Sequence, residues 1–209
     1  MTATISGSSG VTFPAGGVGN PAGTVVGTTD TQTLTNKTLT SPTITGAVVS
    51  SMASSVITAG TAVASTSGTS ITFSSIPSWV KRITILFQGV SLSGTAGPLV
   101  QIGAGSTDTT GYISSSTSTI DPNTVSTASS TSGFVVRSFT AANTVSGQMV
   151  LSNFGSNIWI SSHTVKISTI TSAIGGGDKT LSGTLDRVII TTTNGTDTFD
   201  AGSINILYE

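Results

Sequence analysis

Few residues in this chain of 209 could carry out catalytic chemistry. His163 is the sole histidine, and histidine is the side chain that titrates near neutral pH without perturbation. A hydrolase triad needs a histidine within hydrogen-bond reach of a serine and of a carboxylate. The sequence has no G-x-S-x-G motif, and the segment SSHTV around His163 is typical of the start of a strand. We therefore do not predict catalysis through His163.

The carboxylates form no catalytic or metal-binding pattern either. A glycosidase needs two carboxyl groups that flank a sugar, one of them with a raised pKa. The acidic residues that follow the N-terminal tract are Asp108, Asp121, Asp178, Asp186, Asp197, Asp200 and Glu209. None has a telling spacing, and Asp197 and Asp200 in TDTFDAG are typical of turns. With one histidine and no cysteine, we expect no metal, no cofactor and no enzymatic activity.

Charge and hydropathy limit the partners. The net charge is -1 and the seven basic residues are scattered, so the chain lacks the electrostatic footprint of a nucleic-acid-binding protein. The N-terminus, MTATISGSSGVTFPAGG, has neither a basic start nor a continuous apolar run, and no segment approaches the roughly 18 apolar residues of a spanning helix. We expect no nucleic-acid partner, no signal peptide and no membrane insertion.

The composition predicts ordered β-structure with a hydroxyl-rich surface. Only 7% of the residues are charged, far below the roughly 25% usual in soluble domains, while serine and threonine abound. Disordered chains normally combine a high net charge with few β-branched residues, whereas this chain is nearly neutral and rich in valine, isoleucine and threonine.

Residues 1–60 cannot build a core of their own. Within this range only Asp30 and Lys37 are charged, and apolar residues are isolated. The segment DTQTLTNKTLTSPTITG carries an apolar residue at every fifth position: Leu34, Leu39 and Ile44. Residues five apart share a face on neither a lone strand nor a helix. We predict that residues 1–60 are either a linker or an extended oligomerisation segment that wraps against copies of itself or against another protein. In an oligomer of extended chains, Leu34, Leu39 and Ile44 would face an axis shared by several chains.

From residue 61 the pattern changes to short apolar runs bounded by glycine, serine and asparagine. In KRITILFQ, Ile83, Ile85 and Phe87 share one face, which is the alternation of a strand. Seven similar runs are TSITF, GFVVRSF, GQMVLSNF, NIWIS, HTVKIST, DRVIITT and SINILYE. TNGTD and GGGDKTLSG have the composition of turns. Eight strands and no amphipathic helix predict an all-β, antiparallel β-sandwich of jelly-roll type over 61–209.

Several segments resemble proteins of tailed bacteriophages. DTQTLTNKTLTSPTITG resembles a segment that recurs in phage tail fibres just ahead of a globular tip, and ISGSSGVTFPAG is similar to shorter fibre pieces. SITFSSIPSWVKRITILFQGVS and KTLSGTLDRVIITTTNGTDTFDAGSINILYE resemble a C-terminal module of phage virion structural proteins. The resemblance implies a homotrimer on the exterior of the tail or capsid, made in the bacterial cytoplasm, with residues 1–46 docked on another virion protein.

The resemblance implies a short tail fibre or receptor-binding appendage that adheres multivalently to a glycan or envelope protein of the host surface. The alternative is a capsid or tail decoration protein, a cement or head-fibre protein that stabilises the particle. A depolymerase is disfavoured because the acid pair is missing. In the low-complexity stretch 107–133, Tyr112 is the candidate for stacking on a receptor sugar, against the alternative of a plain solvated loop.

Overall fold

The computed structural model describes Thr40 and residues 57–120, 124–138 and 140–209. The predictions for Leu34, Leu39 and Ile44, and for docking through residues 1–46, lie outside the described residues. The described part contains fourteen strands and no helix. The strands are β1 (Thr58–Ala59), β2 (Val63–Ala64), β3 (Ile71–Ser74), β4 (Arg82–Leu92), β5 (Pro98–Ala104), β6 (Ser106–Thr107), β7 (Tyr112–Ile120), β8 (Thr124–Ser130), β9 (Phe134–Val135), β10 (Val145–Gly155), β11 (Ile158–Lys166), β12 (Thr171–Thr180), β13 (Arg187–Thr192) and β14 (Phe199–Tyr208).

The strands form two sheets, and all of their pairings are antiparallel. The large sheet has nine strands in the order β1-β14-β4-β10-β11-β12-β7-β8, with β2 also paired to β14. The small sheet has five strands in the order β3-β13-β5-β6, with β9 also paired to β5. The all-β, antiparallel prediction is therefore confirmed. The described residues therefore include no helix that is long and apolar enough to span a membrane.

One hydrophobic cluster contains residues of both sheets. The inward-facing residues of β4, Ile83, Ile85 and Phe87, belong to the same cluster as Val100 of β5 and Val188 of β13. The alternation read in KRITILFQ is thus confirmed, since burial of every second residue is what one packed face of an antiparallel sheet requires. Trp159 of β11 is 2% exposed and also belongs to the cluster.

The glycine-rich segment GGGDKTLSG was predicted to be a turn, and this prediction is wrong. Gly175, Gly176 and Gly177 lie inside β12, paired with β11 on one side and β7 on the other. A Cβ on Gly175 would collide with the His163 ring, and a Cβ on Gly177 would collide with the Ile113 carbonyl oxygen. Here the glycines allow close approach within a sheet rather than a change of chain direction.

The stretch 107–133 was predicted to be a low-complexity surface segment, but most of it is a β-hairpin. In β7 every second residue is buried, including Ser114, Ser116 and Ser118, while Ile113 and Ser115 face outward. β8 pairs with β7 along its whole length, from Thr124 opposite Ile120 to Ser130 opposite Ser114. Hydroxyl side chains conceal the alternation because serine and threonine occupy both faces.

Other strand predictions also change. NIWIS and HTVKIST join into the single strand β11, so His163 lies mid-strand rather than at a strand start. The eight predicted strands omit β5, β7, β8 and β12 among the longer ones. Asp197 and Asp200 were predicted to form turns; Asp197 lies in the loop between β13 and β14, after a turn at 193–194, and Asp200 lies in β14.

Candidate functional site

A two-residue turn joins β10 to β11 at one end of the large sheet. Gly155 pairs with Ile158, and the intervening Ser156 and Asn157 have φ values of 49° and 61°. Positive φ at both central residues defines a hairpin turn whose twist matches that of the flanking strands. Asparagine accepts this conformation more readily than most residues. The sequence GSN is therefore suited to this turn.

A β-bulge precedes the turn and places Phe154 in solvent. The β10–β11 register passes from Asn153↔Trp159 to Gly155↔Ile158, which leaves Phe154 without a partner on β11. The Phe154 side chain is 73% exposed. Bulges of this kind commonly change the direction of a side chain next to a binding surface.

The turn borders a cavity of about 200 Å³, which we call the turn pocket. Three parts of the chain form it: the segment before β4, the β10–β11 hairpin and the connection between β12 and β13. Its polar lining residues are Ser78, Lys81, Asn153, Ser156, Asn157 and Thr184. Its apolar lining consists of Val80, Trp159 and Leu185, all of which are buried.

Backbone hydrogen bonds hold these three parts together. The Asn153 amide donates to the Lys81 carbonyl at 2.8 Å, which joins the hairpin to the segment before β4. The Leu181 amide donates to the Asn157 carbonyl at 3.0 Å, which joins the turn to the end of β12. The walls of the turn pocket are therefore fixed by main-chain contacts that leave the side chains available.

The six polar side chains of the turn pocket have no partners in the part of the chain that the structure describes. None of the six forms a hydrogen bond or an ion pair with another described residue. No acidic residue lines the cavity. The indole Nε1 of Trp159 also lacks a partner, but this atom is closed off from solvent, so Trp159 contributes apolar ring surface. The residues that line the turn pocket thus carry amide, hydroxyl and ammonium groups that are available to a ligand.

Exposed aromatic residues lie beside the turn pocket in the chain. Trp79 is 54% exposed and stands between the lining residues Ser78 and Val80, and Phe154 stands between Asn153 and Gly155. The Trp79 ring packs against Tyr208 with a centroid distance of 5.9 Å and an interplanar angle of 48°. Trp79 was predicted to be a core or interface anchor, and within the chain it is exposed, whereas Trp159 is in the core as predicted.

Tyr112, the predicted receptor contact, is 1% exposed, so that prediction is wrong. Its hydroxyl oxygen accepts a hydrogen bond from the Ile102 amide at 2.8 Å and lies 3.0 Å from the Asp108 carbonyl oxygen. Its ring meets Phe134 edge to face at 5.0 Å. Burial raises the pKa of Tyr112 above its ordinary value. Tyr112 therefore joins β7 to the small sheet and cannot stack on a sugar.

His163 lies in the interior, where its Nε2 is 2.9 Å from Ser116 Oγ. The two side chains are 5% and 1% exposed, and the His163 Nδ1 has no partner. Burial lowers the pKa of His163 to about 4. This pair resembles a nucleophile and its base, but a substrate cannot reach a serine that is only 1% exposed. We interpret it as a structural contact.

Three of the described carboxylates hold parts of the fold together. Asp108 pairs with Lys179 at 2.9 Å, and Asp186 pairs with Arg187 at 2.8 Å. Asp197 accepts a hydrogen bond from the Ala96 amide at 2.9 Å, which ties the β13–β14 loop to the segment before β5. Among the described residues, no three His, Cys, Asp or Glu side chains lie close enough to hold a metal ion.

Comparisons with protein-family models, with curated proteins and with solved structures found no match for this chain. The turn pocket is therefore interpreted from its own residues. Sequence reasoning missed it because its residues come from three separated segments. The available signal was NFGSN, in which an aromatic residue precedes a glycine and two residues suited to a tight turn.

Proposed function

We propose that this protein is a bacteriophage virion structural protein, a short tail fibre or receptor-binding appendage that adheres to a glycan of the bacterial surface. The observation that carries the proposal is the turn pocket. It is lined by six polar side chains that have no partner among the described residues, and two exposed aromatic residues, Trp79 and Phe154, adjoin its lining residues in the chain. The resemblance of DTQTLTNKTLTSPTITG and of the C-terminal segments to phage fibre proteins supports the same function.

The chemistry of the turn pocket suits a sugar. A pyranose ring presents hydroxyl groups around its edge and C–H groups on its faces. Asparagine amides and serine or threonine hydroxyls both donate and accept hydrogen bonds, while aromatic rings pack against C–H surface. A volume of about 200 Å³ is smaller than the roughly 300–1,000 Å³ of pockets that hold drug-sized ligands, and it fits a single sugar unit of a longer glycan.

A site of this size binds weakly, so adhesion requires several copies. We include in the proposal a homotrimer in which residues 1–60 are extended and residues 1–46 dock on another virion protein. Three turn pockets on one particle appendage would engage a repeating glycan with a far higher avidity than one. The two antiparallel sheets with their common core are compatible with a jelly-roll-like sandwich, and we propose that architecture for 61–209.

The alternative of a capsid or tail decoration protein leaves the turn pocket without a role. A decoration protein stabilises the particle through contacts with neighbouring virion proteins, and those contacts need no cavity of unpartnered polar groups. We therefore prefer adhesion. Binding to an envelope protein instead of a glycan is an outcome that the following experiment distinguishes.

Adsorption of the labelled full-length protein to host cells tests the proposal. We expect saturable adsorption that solubilised surface polysaccharide competes away. Phe154→Ala and Asn153→Ala should each weaken adsorption by about tenfold, since single contacts of this kind contribute about 1–2 kcal/mol.

The matched control is Ile113→Ala. Ile113 is 71% exposed on the outer face of β7 and does not line the turn pocket, so its substitution should leave adsorption unchanged. Adsorption that resists both Asn153→Ala and Phe154→Ala would refute the proposed site. Competition by solubilised envelope protein and not by polysaccharide would replace the glycan with a protein receptor.

A further inference from the structure

We infer that the turn pocket selects an anionic saccharide, with the Lys81 ammonium group paired to the acid group of the sugar. This inference rests on the proposed function and names the substrate class of the same site. It follows from the distribution of charge among the described residues, of which Lys81 is the one basic residue that lines a cavity and whose side chain forms no ion pair or hydrogen bond with another described residue.

The other described basic residues have partners. Three form ion pairs, with nitrogen–oxygen distances of 3.0 Å for Arg82–Glu209, 2.9 Å for Lys179–Asp108 and 2.8 Å for Arg187–Asp186. Arg137 donates to Ser126 Oγ and to the Ser138 carbonyl, and Lys166 Nζ contacts Thr144 Oγ1. In a chain with 7% charged residues, an unpaired cation at a cavity is a distinctive feature.

No carboxylate neutralises Lys81 within the turn pocket. Glu209 is the nearest acidic residue by main-chain contact, because its carbonyl accepts a hydrogen bond from the Lys81 amide at 2.8 Å. The Glu209 carboxylate, however, is engaged with Arg82 and belongs to a different cavity. Lys81 is therefore the one charged residue among those that line the turn pocket, and its cation favours a carboxylate or phosphate on the ligand.

The other lining groups complete the recognition. The side-chain amides of Asn153 and Asn157 and the side-chain hydroxyls of the lining serine and threonine residues can bind the neutral hydroxyl groups of the sugar ring. Lysine interacts as a point charge and does not demand the planar, two-point geometry of arginine. The shared chemistry is therefore an anionic sugar residue, either a uronate or a sugar phosphate, and the two sources are separated by experiment.

Calorimetric titration of the full-length protein tests this inference with three probes. They are a glucuronate-containing oligosaccharide, a neutral glucose oligosaccharide of equal length, and the same oligosaccharide carrying a phosphate. We expect at least one anionic probe to bind about fivefold more tightly than the neutral one at low salt, the factor typical of an exposed ion pair. The difference should shrink in about 0.5 M salt because the charge interaction is screened.

Lys81→Gln should remove the difference between anionic and neutral probes while the protein keeps its thermal stability, and Lys81→Arg should restore it. The matched control is Lys166→Gln, which removes an equal charge from the exposed face of β11 outside the turn pocket. Preference for uronate or for phosphate identifies the source of the acid group, and either result supports the inference.

Two results would overturn the inference, and they differ in what else they affect. Equal binding of neutral and anionic probes, or an equal effect of Lys81→Gln and Lys166→Gln, refutes charge selection but leaves glycan adhesion intact. Absence of binding by every saccharide, together with host-cell adsorption that is insensitive to Phe154→Ala, refutes the proposed function as well.

Discussion

His163 and Ser116 illustrate how neighbours that are distant in sequence determine what a residue does. They are 47 residues apart, and Gly175 lies between them, paired to His163 on one side and to Ser116 on the other. Because Gly175 has no side chain, the His163 ring can extend across β12 to reach Ser116. The sequence identified His163 as the only titratable imidazole, but it contained no local sign of this three-strand row.

His163 makes the stability of the fold depend on pH. Its folded-state pKa of about 4 lies below the ordinary value of 6.5, so the unfolded chain binds a proton more readily between these two pH values. The free energy of unfolding should therefore fall as the pH is lowered from about 6.5 to about 4, by about 3 kcal/mol in total. Urea unfolding at pH 7 and at pH 4.5 measures this loss.

The control for this prediction is His163→Gln, which has no titrating group at this position and should lose the pH dependence in that window. Asp186 and Asp197 have pKa values below their ordinary 3.8, through hydrogen bonds from Arg187 and Asn194 respectively. The stability that these two carboxylates add is lost only near and below pH 3.8, below the range from pH 6.5 to about pH 4 in which His163 changes the free energy of unfolding. An equal slope for wild type and His163→Gln between pH 7 and 4.5 would contradict the assignment.

At the scale of elements, strands could be predicted wherever apolar and polar residues alternate. β4 was recognised from Ile83, Ile85 and Phe87 because each inward position is apolar. β7 was missed because its inward positions carry serine, so both faces read alike. β12 was missed because a run of three glycines is typical of a turn, and only the neighbouring strands reveal that the close approach requires glycine. Composition within one element cannot supply that information.

Gly175→Ala should destabilise the protein even though alanine is normally better than glycine in a strand by about 0.5–1 kcal/mol. The added Cβ would collide with the His163 ring and with the Ser115 carbonyl oxygen. Overpacking of a buried site costs about 1–3 kcal/mol, and a backbone oxygen cannot move aside as a flexible side chain can. Urea unfolding at pH 7 should show a net decrease.

The matched substitution is Gly183→Ala, also in the second half of the chain. Its nearest contact would be the Ala104 Cβ at 3.5 Å, which is an ordinary van der Waals distance. We expect a change within about 0.5 kcal/mol. If the Gly175→Ala protein were as stable as the Gly183→Ala protein, the side chains around Gly175 would have room for a Cβ, and the close packing of Ser116, Gly175 and His163 would be contradicted.

At the scale of the whole molecule, the fold class followed from the sequence but the strand order did not. Sparse charge, abundant β-branched residues and the absence of a helical pattern led to an all-β prediction, which the two antiparallel sheets confirm. The pairing of β4 with β14 joins residues 82–92 to residues 199–208, and such long-range pairing leaves no local trace. The turn pocket depends on the same kind of assembly, because three separated segments form it.

Hydrogen exchange of the full-length protein, with and without host-surface polysaccharide, tests the central claim of glycan binding at the turn pocket most directly. We predict that saturating polysaccharide slows amide exchange in 78–81, 153–159 and 184–185, the three segments that contain the lining residues of the cavity. Exchange in 112–130, which contains β7 and β8, should stay unchanged. Slowed exchange confined to 112–130, or no change anywhere at a polysaccharide concentration that blocks adsorption, would contradict the account.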